Sequence, residues 1–339
     1  MNLYRKSTLK DVAELAGVST ATVSHVLNDS KFVGDALKLK VLAAVDTLDY
    51  VPNSLAKSLR MSESKLIGLM ISDISNPFFS LVVRGIEDGL AKSDYNVLLC
   101  NTDSTFSKEE EYLKVLLSRR IDGLVVSSAG GEGNHFRSTG VPLVFLNRSP
   151  NSLANNMVTT NNYKGAYWAT EHLVKHGYQR IAIIAGPQHI NTARDRLMGY
   201  CCAIGDNGGV PDDGLLKIGQ FDTESGYTAM QELMGQKVKP DAVFTCNNLM
   251  TLGAFRYLRE AGLKIPEQIA LVGYDDPEWA TIAEPPLTVI RQPAYNLGLT
   301  AAKLVVECIK EKNQGKPQKI FLDPELIVRK SCGCNGGGA

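Results

Sequence analysis

The apolar and polar positions of this chain follow two patterns that change near residue 65. Before it the spacing is helical and the segments are short. Leu9, Val12, Ala13 and Ala16 recur at helical intervals and define one apolar face. Thr8 stands where it can cap that helix, and Asp11 follows three positions later, close to a capping box and favourable at a positive helix end. Gly17 can take the positive φ of a tight turn. Ser19 is placed to cap a second helix. In it Val23, Val26 and Leu27 form a buried face, Ala21 is small enough for close helix packing, and Thr20, Thr22, Ser24, His25 and Asn28 stay polar. A third helix is predicted over Lys38–Leu48, with Leu39, Leu42, Val45 and Leu48 on its apolar side. Pro52 disfavours helix at Val51. Asn53 can then cap a short helix over 54–60, which at one to two turns is marginal in water on its own. Residues 61–65 read as a linker. Two helices with hydroxyls clustered at the start of the second suit a helix-turn-helix, whose polar face would meet phosphates and base edges in a major groove. An ordinary capped helical hairpin has the same periodicity.

From Leu66 onward short apolar runs alternate with helical patterns. Strands are predicted at 66–71, 96–100, 123–126 and 141–146, with helices at 79–92 and 107–119. The alternation resumes with helices at 162–176, 192–207, 224–235 and 248–261 and strands at 180–185, 215–218, 241–245 and 268–272. Strands separated by helices of this length argue for doubly wound parallel sheets, here two α/β lobes, with ligands at the carboxyl ends of strands. The polar punctuation falls at those ends: Asp73–Phe79, Asn101–Asp103, Asn147-Arg148, Phe221-Asp222, Cys246–Asn248, Gly273–Asp276 and Ile290–Pro293. Aromatic faces beside Asn, Asp, Arg and Gln suit a small polyhydroxylated ligand. Any one of these residues alone would be a cap or a turn former. Their common placement favours one cleft.

Bulk properties narrow the function. A chain of 339 residues with 44% hydrophobic residues forms two or three domains with full cores. The formal net charge is zero, and the first 60 residues hold eight Lys/Arg against six Asp/Glu. DNA binding would therefore rest on placed contacts and on a doubled head rather than on a strong field. No apolar run approaches 18 residues and the start lacks a signal-peptide core, which points to the cytoplasm. The cysteine count of seven is odd, and five sit in apolar contexts as free thiols. Cys332-Gly-Cys334 has no second Cys/His pair nearby in sequence to complete a zinc site, and the Gly336–Gly338 tail reads as disordered. His172 and His176 stand at i and i+4, but Leu173 occupies the position a zinc-protease helix gives to Glu, and no third ligand is evident. A solvated helix face is the expectation, with no metal and no cofactor. There is no G-x-G-x-x-G, P-loop or G-x-S-x-G, and none of the five histidines, His25, His135, His172, His176 and His189, has a nucleophile partner by spacing, so an enzyme is not expected.

On these residues the chain resembles the LacI/GalR family of bacterial transcriptional regulators, from about Ser7 to Ser331. The carrying motifs are the 8–28 head, Tyr50…Pro52-Asn53…Ala56-Lys57-Ser58-Leu59, Ala185-Gly186-Pro187, Arg196…Gly199-Tyr200, Asn247, Val272–Asp275 and Pro286-Leu287-Thr288…Gln292. Within it, Ser19–Val26 followed by Phe32-Val33 is most similar to the ribose and purine repressors, with His25 typical of that subgroup. The resemblance implies base contacts from Thr20, Ala21 and His25, backbone contacts from Ser19, Thr22, Ser24 and Asn28, minor-groove placement of Lys57 and Arg60, and further DNA contacts from Thr8, Asn53 and Ala56. Leu59 would wedge between base pairs and kink the DNA, unstacking a step at a cost of roughly a few kcal/mol. For a ligand it implies Asn76, Phe78, Phe79, Asp103, Asn147, Arg196, Phe221, Asn247, Asp275 and Gln292, a set similar to pentose-binding lobes. Asn147 stands where ribose binders usually offer Asp, Asn248 replaces a frequent Asp and reads as a turn variant, and Gly34 replaces a capping Ser or Thr, with Asp35 as a substitute.

The expected organisation is a DNA-binding head over 1–52, a hinge helix and linker over 53–65, a two-lobed periplasmic-binding-protein-like core over 66–331 and a tail over 332–339. Lobe 1 would take about 66–161 and 293–322, and lobe 2 about 162–292 and 323–331. The expected function is an allosteric repressor: a homodimer on near-palindromic operator DNA, controlled by a cleft ligand, most simply a sugar such as ribose. A purine or nucleoside effector is the first alternative. A sugar-binding protein without DNA function is the second, although it would need no head and would need an export signal.

Overall fold

A computed structural model describes residues 7–50, 63–153, 155–311 and 316–334. The expected hinge helix, with Asn53, Ala56, Lys57, Leu59 and Arg60, lies outside the described residues, as does the glycine tail. The chain divides into two compact units, Met1–Ser64 and Lys65–Ala339.

In the first unit α1 (Leu9–Ala16), α2 (Thr20–Asn28) and α3 (Asp35–Thr47) pack around Val12, Ala13, Ala16, Val23, Val26, Val41, Ala44 and Tyr50. Thr8 and Asp11 form a complete capping box, and Gly17 ends α1 at φ 65°. The third helix corrects the sequence reading. Its buried stripe is Val41 and Ala44 with Val45 and Leu48 beside them, while Leu39 is 69% and Leu42 41% exposed. Both stripes have helical spacing, so periodicity alone cannot rank them; the small head admits only the one facing α1. Gly34 caps α3 without a side-chain bond, and Asp35 acts from the first turn, where a carboxylate is favourable.

The second unit holds two six-stranded sheets. The first runs β11-β5-β4-β3-β1-β2 and is parallel throughout: β1 (Leu66–Ile71), β2 (Asn96–Asn101), β3 (Gly123–Val126), β4 (Leu143–Leu146), β5 (Asn156–Thr160) and β11 (Lys319–Leu322). The second runs β12-β10-β9-β8-β6-β7: β6 (Ile181–Ala185), β7 (Leu216–Ile218), β8 (Ala242–Thr245), β9 (Ala270–Tyr274), β10 (Thr288–Arg291) and β12 (Glu325–Ile327). It is parallel except for the edge strand β12, which pairs antiparallel with β10. Three of these strands, β5, β11 and β12, carry too weak an apolar run to be read from sequence.

The chain passes between the sheets three times: after β5, after β10 and between β11 and β12. Helices α4 (Pro77–Ala91) and α11 (Ala294–Lys310) cover lobe 1, together with α5 (Phe106–Ser118). Lobe 2 is covered by α6 (Asn162–Lys175), α7 (Asn191–Asp206), α8 (Thr223–Met234), α9 (Asn248–Glu260) and the short α10 (Glu278–Ile282). Helices α4 and α11 touch backbone to backbone. A Cβ on Gly85 would lie 2.1 Å from the Tyr295 carbonyl oxygen, and one on Gly298 2.0 Å from that of Val82. Residues 332–334 are not a tail. Cys332 is buried in the core of lobe 2, where it accepts from Thr288 Oγ1 at 3.1 Å.

Candidate functional site

Two places gather polar side chains that the fold alone does not need. The first is the outer surface of α2. Ser19 caps the helix, accepting from the Thr22 amide at 3.1 Å and bonding the Thr22 hydroxyl at 2.9 Å. Thr20, Ala21 and Asn28 are exposed. The expectation that Ala21 serves helix packing is therefore corrected: its small side chain faces outward. His25 Nδ1 is hydrogen-bonded to Ser30 Oγ at 2.9 Å, which fixes the ring's orientation, and Asn28 donates to the Ser24 carbonyl at 2.8 Å. Val23 and Val26 anchor the opposite face.

The second place is the cleft between the sheets of the second unit, where strand ends from both lobes meet. Asn76 caps α4, its Oδ1 accepting from the Phe78 amide at 3.0 Å. The same side chain forms a reciprocal pair across the lobes. Asn248 Nδ2 donates to Asn76 Oδ1 at 2.8 Å and Asn76 Nδ2 donates to Asn248 Oδ1 at 3.1 Å. Asn248 is 2% exposed, so it is an interlobe clasp and not the turn variant expected from sequence. An aspartate there would accept but not donate, leaving two oxygens in opposition.

Asp275, at φ 72°, accepts from Gln292 Nε2 at 2.6 Å and from the Asn248 amide at 3.3 Å. Its neighbour Asp276 is drawn elsewhere, gripped by both Nη atoms of Arg329 at 2.8 and 2.9 Å and by Arg291 at 3.0 Å. Gln292 Oε1 in turn accepts from Asn147 Nδ2 at 3.4 Å, and Asn147 Oδ1 accepts from Thr159 Oγ1 at 3.2 Å. Arg196 is 3% exposed. It donates to Asn162 Oδ1 at 2.9 Å and to the Cys246 carbonyl at 2.5 Å, and its guanidinium lies 3.7 Å from the centre of the Tyr274 ring. Asn247 caps α9 and donates to the Phe221 carbonyl at 3.0 Å. Phe221 has φ 63°, and the far end of its ring packs on Gly186, where any Cβ would come within 2.2 Å of it. That contact explains the glycine of Ala185-Gly186-Pro187.

Burial pushes the Asp275 carboxyl above the usual carboxylate range, opposed by the Arg196 charge and by the Gln292 bond. The Arg148 guanidinium is pushed down to about 10, first by burial and then by Arg196, so it stays charged at neutral pH. The cleft thus holds two cations and a carboxylate away from bulk water, where hydrogen bonds to a ligand would be strong.

Of the ten sequence-predicted cleft residues, Asp103 is not brought in. It is exposed and bonded to Asn101 and Lys108, because φ 50° turns it outward after β2. Phe78 and Phe79 are both buried, ring edge to face at 5.1 Å, and only Phe79 lies near the Arg148 cation. Two residues read among the strand-end groups but left out of the ligand set, Arg148 and Asn248, belong to the cleft, and a third, Asn162, was missed. Arg148 donates to Ser72 Oγ at 2.9 Å and to Ser104 Oγ at 3.0 Å, with the ring centres of Phe79 and Phe221 5.9 and 5.0 Å away. Asn162 and Asn248 complete the set. Arg148 had a signal, since it adjoins Asn147 at a strand end. The other two begin helices, where asparagine reads as a cap.

The expected absence of a third partner for His172 and His176 is also overturned. Cys334 Sγ lies 3.4 Å from His172 Nε2. Among the described residues no helix is long and apolar enough to cross a membrane.

A helix-turn-helix head and a two-lobed parallel α/β core with a polar interlobe cleft define a ligand-responsive regulator of the periplasmic-binding type. Residues 8–53 match the bacterial regulatory proteins of the lacI family, and residues 64–327 match the periplasmic binding proteins and sugar binding domain of the LacI family. The chain belongs to the LacI family. It is 36% identical to an HTH-type transcriptional repressor PurR of Photobacterium profundum over 330 residues, covering 96% of this chain and 98% of that one. It is 37% identical to the ribose operon repressor of Escherichia coli over 329 residues, covering 96% and 99%. A crystal structure of the lac repressor dimer bound to operator and the anti-inducer ONPF superposes with a TM-score of 0.87 at 30% identity, covering 97% of this chain and 99% of that one.

Proposed function

We propose that the protein is a homodimeric repressor in the cytoplasm that releases or grips a near-palindromic operator according to a pentose-like sugar in the interlobe cleft, and that it catalyses no reaction. The carrying observation is the buried hydrogen-bonded chain Asn147–Gln292–Asp275–Asn248–Asn76, which passes through the Asn248 backbone amide and is flanked by Arg148 and Arg196 and by the Phe79 and Phe221 rings. Two guanidinium groups and a carboxylate suit neighbouring hydroxyls, and phenyl faces suit the C–H faces of a sugar ring. Lobe closure on the ligand would set the spacing of two hinges, and so whether the 54–60 segments engage DNA together. A coupling of about 1–3 kcal/mol would change operator affinity roughly 5- to 150-fold.

On the DNA side we assign base contacts to Thr20, Ala21 and His25, and backbone contacts to Thr8, Ser19, Thr22, Ser24 and Asn28. Asn53, Ala56, Lys57, Leu59 and Arg60 are assigned to the minor groove. Residues 1–52 serve as the head, 53–65 as the hinge and 66–331 as the core, to which Cys332–Cys334 are joined by Cys332's place in lobe 2. The ligand residues proposed are Asn76, Phe78, Phe79, Asn147, Arg148, Arg196, Phe221, Asn247, Asp275 and Gln292.

A second reading, a purine effector, is favoured by one observation: Phe79 and Phe221 already flank the planar guanidinium of Arg148, and a flat base would suit the same place. One of the relatives above is named an HTH-type transcriptional repressor PurR and another a ribose operon repressor. Calorimetry across pentoses, hexoses and purines decides between them: binding of a pentose alone supports the first reading, and of purines alone the second. Gel shift on a palindromic library, with and without ligand, tests the regulator. Absence of salt-sensitive, sequence-selective binding would sink it.

A further inference from the structure

We propose that His172, His176 and Cys334 form a metal site on lobe 2 that takes one borderline-soft cation of the zinc type. One ligand atom from each residue lies within 4.8 Å of the others. The Cys334 Sγ to His172 Nε2 distance is 3.4 Å. A tetrahedral zinc at about 2.0–2.1 Å from nitrogen and about 2.3 Å from sulfur sets its ligand atoms about 3.3–3.6 Å apart. The pair already has that separation, and the third ligand needs a shift of about an ångström, within reach of an exposed histidine.

The three residues are held for the task from different parts of the chain. His172 and His176 are one turn apart near the end of α6, their ring centres 4.3 Å apart. His176 Nδ1 donates to the His172 carbonyl at 2.7 Å. In the neutral ring this bond leaves the lone pair on Nε2, the tautomer that backbone carbonyls commonly impose on metal-binding histidines.

Cys334 arrives from the far end of the chain on a built hook. Ser331 Oγ donates to the Leu271 carbonyl at 2.6 Å and accepts from the Thr288 amide at 2.8 Å. Tyr178 donates to the Cys332 carbonyl at 3.0 Å, and Gly333 turns the chain at φ 77°. A Cβ at Gly333 would approach the Tyr178 hydroxyl to 2.7 Å, so this turn needs glycine. Cys332 is committed to the core and is not a ligand. Coordination would displace the Cys334 proton to solvent, as zinc does for thiols generally. Three protein ligands leave the fourth position to water.

The site would clip the C-terminal hook to the end of α6. The start of that helix, about 20 Å away at 1.5 Å per residue, carries Asn162 in the cleft. The test uses the full, tag-free chain, stripped of metal and equilibrated with Zn(II), then with Co(II) as a spectroscopic probe. We expect about one zinc per chain after dialysis and, with Co(II), a sulfur-to-metal charge-transfer band in the near ultraviolet. Cys334→Ser and His176→Ala, both at accessible positions, should each weaken zinc binding at least roughly tenfold. The control His189→Ala should not. Circular dichroism verifies that the variants fold, and the intact protein's own stoichiometry stands independent of them. Sub-stoichiometric zinc in the intact chain, a cobalt spectrum without the thiolate band, or affinity unchanged in Cys334→Ser would overturn the proposal.

Discussion

The outer face of α2 and the interlobe cleft make opposite use of the same kinds of side chain. On α2 the polar residues stand in water on a small apolar base, and their hydrogen bonds are local: Ser19 to Thr22, Asn28 to Ser24, His25 to Ser30. In the cleft the polar residues are buried and their bonds are long-range, as in Asn76 with Asn248 and Asn147 with Gln292. A surface meant for a large, hydrated polyanion gains little by being dry before it binds, since phosphate contacts work through charge and counterion release. A site for a small ligand must match the buried bonds already made there, so its selectivity comes from the cost of leaving one unmade. The head should therefore fail gradually under substitution and the cleft abruptly.

The largest effect should follow Arg196→Met. Loss of charge-assisted bonds of about 1.5–3 kcal/mol each should weaken ligand binding by roughly 100-fold or more, read by calorimetry, while operator binding without ligand persists in a gel shift. Equal losses in both assays would break the contrast. On the head, His25→Ala should cost about 1–3 kcal/mol at the cognate operator and little on random DNA, with ligand affinity unchanged. A uniform loss on both DNAs would make His25 a phosphate contact. Asn248→Asp sharpens the cleft side. It opposes two oxygens across the lobes and should reduce ligand affinity by roughly tenfold. If affinity holds, the clasp is ornamental to closure. Smallest is Ser19→Ala, which removes the α2 cap at a cost of about 1 kcal/mol of head stability, seen as a lower Tm of the head transition alone.

The alternation of strands and helices was legible because buried parallel strands are continuous apolar runs. Lobe 1 needed β5 and β11 to close its sheet, yet Asn156–Thr160 holds one strongly apolar pair and Lys319–Leu322 lies half exposed at an edge, so neither stood out. In the head, Thr8, Asp11, Gly17 and Ser19 could be read because capping is local chemistry. Leu39 and Leu42 were misread because burial is decided by what lies opposite. The cleft shows the same division. Arg148 adjoins a strand end and could be seen there, whereas Asn248 could not be told from a cap until Asn76 was found facing it across 172 positions of sequence. Cys334 and His172, 162 positions apart, were invisible to spacing for the same reason.

Gln292 sits where β10 hands the chain back to lobe 1, and it touches Asn147 of one lobe and Asp275 of the other. In mechanical terms it lies beside an interlobe crossing, at the axle of any rotation between the lobes and not at the rim. A rotation of a few degrees there scarcely moves Gln292 itself, yet sweeps the outer edges of the lobes through a much longer arc. A ligand that reorients this one amide would therefore work with a short input arm and a long output arm, turning a fraction of an ångström at the axle into a displacement large enough for a distant interface to register.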